Sequence, residues 1–114
     1  MQATASNSQR SHKHKTGKQI QSDVLDYIRR GKYVELGLLK GNVLAYKVEV
    51  ANERGVPDLL CCVNGKFVGV EIKGYSDRTT AIQVAQAKRI ISAGGESFIV
   101  KSLDDFKNII REIS

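Results

Sequence analysis

Asn64-Gly65, set between the apolar runs 59–63 and 66–72, constrains the fold of this chain more than any other stretch. Asn-Gly is the favoured pair for a two-residue type I′ turn, because both central residues need a positive φ, and such a turn fixes the register of the strands it joins. Val63 then faces Lys66, Cys62 faces Phe67, Leu60 faces Gly69, and Asp58 faces Glu71. Side chains alternate along a strand. Lys73 therefore shares the face of Asp58 and Glu71, while Leu59, Cys61, Val68, Val70 and Ile72 point the other way.

Two directly opposed carboxylates lie about 5 Å apart. At an effective dielectric near 20 their repulsion is about 3 kcal/mol, a large share of a small domain's net stability. A chain that accepts this has something cationic to place there. Lys73, one pleat along, supplies one charge, and a divalent metal held by Asp58 and Glu71 with Lys73 beside it is the chemistry the arrangement suits. The same residues also fit a half-solvated antiparallel edge, polar outward and apolar inward. The hairpin alone leaves both readings open.

With 114 residues, 41% of them hydrophobic and 26% charged, the chain is expected to be one soluble domain with a single core. Nothing in it resembles a membrane span or the apolar core of a signal peptide, so an intracellular protein without membrane partners is expected. Adjacent Cys61 and Cys62 on one strand point to opposite faces and make poor disulfide partners. With His12 and His14 they match no usual zinc spacing, and they read as buried structural thiols. The net charge of +6 is concentrated in residues 1–18, which hold Arg10, Lys13, Lys15 and Lys18 and no acid. Residues 1–17, rich in Ser, Gln, Thr and Lys, are expected to form a basic flexible arm, and residues 18–114 the folded domain. Such an arm suits phosphate neutralisation, or is simply a solvated tail.

Ile20, Val24, Leu25 and Ile28 predict a helix over residues 18–30, stopped by Gly31, with Gln21 at the edge of the apolar stripe. Residues 32–42 follow neither period. Residues 44–50 alternate, which predicts a strand with Leu44, Tyr46, Val48 and Val50 on one face. Pro57 belongs at a strand's first residue and places Asp58 at the mouth of the hairpin. Thr79 or Thr80 caps a helix running to about residue 93, with Val84, Ala87 and Ile91 as its packing stripe and Gln83 and Gln86 on another side. Phe98-Ile99-Val100 reads as a short buried strand, and Ser102 opens a last helix that buries Leu103, Phe106, Ile109, Ile110 and Ile113. The order helix, strand, hairpin, helix, strand, helix predicts an α/β fold with a mixed sheet and helices on both faces.

Gly55-Val-Pro57-Asp58-Leu-Leu, then Glu71-Ile-Lys73 on a hairpin that follows a helix and a strand, resembles the PD-(D/E)XK nuclease superfamily. The Gly-Val-Pro-Asp opening, the short spacing and Gln83 in the next helix make the chain most similar to the virus-type replication-repair nuclease (VRR-NUC) domain, over roughly residues 18–100. The resemblance implies a restriction-endonuclease-like core, a mixed β-sheet with a central hairpin flanked by helices. It further implies that Asp58, Glu71 and the Ile72 carbonyl ligate Mg²⁺ or Mn²⁺, that Lys73 orients or activates the attacking water, and that Gln83 stands beside the site. Small viral members, and junction resolvases of the same fold, are homodimers acting on branched DNA, so a homodimer on branched duplex is the partner expectation.

The chain departs from the family at Gln21, where a Glu on the first helix is usual. An amide oxygen brings no charge to a metal. Asp23 is expected to face solvent, and Glu49 is the other substitute. The function expected is metal-dependent hydrolysis of DNA phosphodiesters, with phosphate contacts from Lys13, Lys15, Lys18, Lys88 and Arg89, and with Arg54 either contacting substrate or structuring its loop. The alternatives are a catalytically impaired nucleic-acid-binding module with the nuclease fold, and an assembly protein whose carboxylates pair with Lys73 and Arg54.

Overall fold

The Asn64-Gly65 turn adopts the conformation that its residues favour, with φ of 52° at Asn64 and 86° at Gly65, in a computed structural model that describes residues 15–114. The arm up to residue 14, with Arg10, His12, Lys13 and His14, lies outside the described residues. Helix α1 (Gly17–Arg29) is followed by a 3-10 helix (Lys32–Leu36), then β1 (Val43–Lys47), β2 (Leu59–Val63), β3 (Lys66–Ile72), α2 (Ala81–Ser92), β4 (Glu96–Val100) and α3 (Leu103–Ile113). The four strands form one sheet in the order β1-β2-β3-β4. The first three are antiparallel, and β3 pairs with β4 in parallel, the crossover being α2. This is the mixed α/β sheet with a central hairpin that the sequence predicts.

The hairpin register is the one the turn dictates, with Val63 opposite Lys66 and Leu59 opposite Val70. Leu59, Cys61, Val63, Val68, Val70 and Ile72 form one buried face, covered by Ile20, Val24 and Tyr27 of α1 and by Phe106 and Ile110 of α3. Tyr27 and Phe106 meet edge to face, with ring centroids 6.4 Å apart. Both α1 and α2 open on a capping box, Thr16 with Gln19 and Thr80 with Gln83, which satisfies backbone donors that a helix start leaves unpaired.

Three expectations are corrected. In β1 the inward face is Val43 and Ala45, not Leu44 and Tyr46, because Val43 pairs with Val63 and Ala45 with Cys61, both of which face the core. Leu44 is 50% exposed and Tyr46 65%. In α2 no residue is buried, and Val84 and Ile91 are exposed. That helix rests on the sheet through Ile90, which packs at Gly69, where a Cβ would lie 2.9 Å from the Ile90 Cδ1. Of the two thiols only Cys61 is buried, and burial pushes its pKa up to about 12; Cys62, on the opposite face of the strand, is exposed. The unperiodic stretch 32–42 is the 3-10 helix and a turn, closed by the Tyr33 hydroxyl, which accepts from Gly41 N–H at 2.7 Å.

Candidate active site

At the end of the sheet away from the Asn-Gly turn, β2 begins and β3 ends, and this brings Asp58, Glu71 and Lys73 to one face. Asp58 is half-buried, and its Oδ2 accepts the Ile72 N–H at 2.8 Å, which fixes the carboxylate across the strand end. Glu71 and Lys73 are each only 7% exposed. The Lys73 Nζ lies 3.5 Å from Glu71 Oε2 and donates to the Arg78 carbonyl at 3.0 Å.

Gln83, from the first turn of α2, ties the group together. Its Oε1 accepts from Lys73 Nζ at 2.8 Å and from the Thr80 N–H at 3.0 Å, and its Nε2 donates to Glu71 Oε2. Two donors on the oxygen fix which end of the amide faces which partner. The capping box and the site thus share one side chain. The pattern Thr80-x-x-Gln83 signals the box in the sequence, and only the crossover shows that it lands on Glu71 and Lys73.

Burial raises the pKa of Glu71, the Asp58 carboxylate raises it further, and Lys73 opposes both. Its Oε1 is buried and has no hydrogen-bond partner. A buried carboxylate oxygen without a donor is a costly arrangement, and one that a cation relieves. Glu71 and Gln83 line a cleft of about 320 Å³ with Gly55, Pro57, Lys88 and Ile99, whose Cα registers with Glu71. Gly55, the first residue of the Gly-Val-Pro-Asp run, has a φ of 78°, and a Cβ there would lie 2.9 Å from the Ile82 carbonyl oxygen. Glycine is needed for α2 to approach the loop.

The other sequence-derived residues divide. Lys88 lines the cleft beside Glu71. Arg89 does not; it pairs with Glu53 at 2.5 Å, and Gln86 Nε2 donates to the Arg54 carbonyl at 2.9 Å, so these residues brace the loop before Pro57. The Arg54 side chain is exposed. Lys15 pairs with Asp23 at 2.7 Å, and Glu49 is exposed and pairs with Lys47 at 3.3 Å. Gln21 and Lys18 line a different groove, with Lys47, and not the cleft of Glu71. Among the described residues no cluster of three or more His, Cys, Asp or Glu side chains gathers. No helix among them is long and apolar enough to cross a membrane.

No family model matches the chain. It is 34% identical over 62 residues to “Putative nuclease p44” of Acyrthosiphon pisum secondary endosymbiont phage 1, a match that covers 54% of this chain and 67% of the relative. A solved structure described as a VRR-NUC domain superposes with a TM-score of 0.60 at 22% identity, over 88% of this chain and all of the other. Fold and sequence kinship agree: the chain has the fold of a VRR-NUC domain and belongs to the nuclease family of its phage relative.

Proposed function

We propose that the protein is a divalent-metal-dependent endonuclease that hydrolyses DNA phosphodiester bonds. The observation that carries this reading is the Glu71 carboxylate, buried opposite Asp58 with one oxygen unpartnered and the other held by Gln83 and Lys73. Asp58 and Glu71, with the Ile72 carbonyl, are the residues that hold the metal. Mg²⁺ and Mn²⁺ fit this donor set, because hard cations take oxygen ligands and keep several waters when the protein supplies few.

When bound, the metal polarises the scissile phosphate and lowers the pKa of a coordinated water. Lys73, steered by Gln83 Oε1 and the Arg78 carbonyl, orients the attacking water and offsets charge on the phosphate. Asp58 is kept from rotating by the Ile72 N–H. Lys88, at the rim of the cleft, contacts the incoming backbone, and the leaving 3′ oxygen takes its proton from solvent. The substrate is branched DNA in replication, recombination or repair, and the acting form is an intracellular homodimer. A bare apolar sheet face with Leu44, Tyr46 and Phe67 exposed supports a second copy as partner.

The test compares the protein with its Asp58→Asn variant on a four-way junction, a flap and a linear duplex, with Mg²⁺ or Mn²⁺. The variant is expected to lose at least about 100-fold in cleavage rate, with the junction and flap cut faster than the duplex. Equal cleavage by the two proteins overturns the metal-site reading. Cleavage of duplex alone retains the chemistry and discards the branched substrate. Tight junction binding with no cleavage by either protein favours the impaired binding module.

A further inference from the structure

We propose that the groove between α1 and β1 is a phosphate subsite that holds the DNA backbone next to the hairpin carboxylates; this rests on the nuclease reading. The groove has a volume of about 330 Å³ and is lined by Lys18, Gln21, Ser22, Leu25, Arg29 and Lys47. Three of the six are cations, two are neutral hydrogen-bonding side chains, and none is an acid. The first turn of α1 also carries no acid, so the positive end of its dipole is uncompensated there.

Both walls of the groove are joined to residues adjacent to the site. On one wall, Gly17 precedes Lys18 and packs so closely on Gly74 that a Cβ at Gly74 would lie 2.7 Å from the Gly17 nitrogen. Gly74 follows Lys73 in the chain. On the other wall, Lys47 pairs with Leu59, the residue after Asp58, and the Val48 N–H donates to the Asp58 carbonyl at 2.9 Å. The groove therefore starts at the same end of the sheet as Asp58, Glu71 and Lys73, on the α1 side, while the cleft of Glu71 and Gln83 lies on the α2 side. A strand crossing that end meets both.

Two of the cations already touch carboxylates outside the lining, Arg29 with Asp26 at 3.3 Å and Lys47 with Glu49 at 3.3 Å. All four side chains are at least 43% exposed, and exposed pairs of this kind are weak. A backbone phosphate displaces them readily. Lys18 has no ion-pair partner among the described residues. Gln21, at the position where a Glu is usual, is then suited to its surroundings: an amide donates to an anion, whereas a carboxylate among Lys18, Arg29 and Lys47 would occupy them itself.

The test measures binding of a fluorescein-labelled four-way junction by anisotropy, in EDTA and over a range of salt, for the full chain and three variants. In Lys18→Ala/Lys47→Ala the slope of log affinity against log salt is expected to flatten by about 2, close to 0.9 for each phosphate that is no longer neutralised. Affinity near physiological salt should fall about 10-fold or more. Gln21→Glu should also weaken binding. Lys40→Ala/Lys66→Ala removes the same charge near the Asn-Gly turn and should leave the slope nearly unchanged, and thermal melts verify that each variant is folded. Equal weakening in the two double variants, or an unchanged slope in the groove variant, overturns the proposal. If the protein cleaves no DNA with metal yet the groove variant still flattens the slope, the nuclease reading falls and the phosphate subsite stands.

Discussion

Glu71 carries a charge where folding disfavours it. Burial and the Asp58 carboxylate raise its pKa above the value in an unfolded chain. Between the two values the folded state holds a proton that the unfolded state has lost, so stability falls as pH rises through that window. Below it the side chain is neutral in both states and the penalty vanishes. Glu71→Gln removes the charge and keeps the shape. Without metal, the variant should melt with the wild type in acid, where the side chain is neutral in both states, and progressively above it as pH rises toward neutrality. Groups remote from Glu71 titrate alike in both proteins, so the difference reports Glu71 together with the Asp58 and Lys73 charges coupled to it. A gap that does not change with pH, or a variant that melts lower at pH 7, contradicts the account. The same residue illustrates what sequence can carry: opposition to Asp58 follows from turn geometry, but the pairing with Gln83 requires knowing where α2 starts.

At the scale of elements, α2 positions the site without a buried residue of its own, and its placement depends on two glycines. Gly55 allows the loop to touch the first turn of α2, and Gly69 allows Ile90 to sit on β3. Gly55→Ala introduces a left-handed alanine, about 1–2 kcal/mol, and a Cβ 3.0 Å from the Ile82 carbonyl carbon, with overpacking of about 1–3 kcal/mol more. Gly65→Ala is strained in the same way, yet a Cβ there meets nothing within 4 Å. Both variants should melt below wild type, Gly55→Ala further. At a temperature where both are folded, only Gly55→Ala should lose cleavage rate, because it pushes Gln83 away from Glu71 and Lys73. Equal rates in the two variants would show that α2 does not set the site. The hairpin, the helices and the fold class were legible because local signals and burial agree there. The inward face of β1 was not, since Leu44 and Tyr46 are as apolar as Val43 and Ala45, and only pairing with the inward-facing Val63 and Cys61 decides between them. Nor was the role of Val84 and Ile91, an apolar stripe at helical spacing that borders an open cleft and not a core. Gln21 falls near the edge of its stripe as predicted, but the neighbours it meets, Lys18 and Lys47, are set by β1.

For the whole molecule, the cost at Glu71 makes stability and metal binding one equilibrium. A ligand that binds only the folded state adds RT ln(1 + [L]/Kd), about 2.7 kcal/mol at a hundred times Kd. For a chain of this size that is a rise in Tm on the order of ten degrees. Titrating Mg²⁺ or Mn²⁺ at constant ionic strength should therefore raise the melting temperature of the wild type without a plateau up to that range, and leave Asp58→Asn almost flat. The gain should also shrink as pH falls, because a proton on Glu71 competes with the cation for the same carboxylate. Constant ionic strength holds general screening of the surface fixed, so a rise seen in both proteins reports cations held by other surface carboxylates. A parallel rise in wild type and Asp58→Asn assigns the stabilisation to the surface and removes the metal from the hairpin. A rise confined to the wild type and lost on acidification ties it to the two opposed carboxylates.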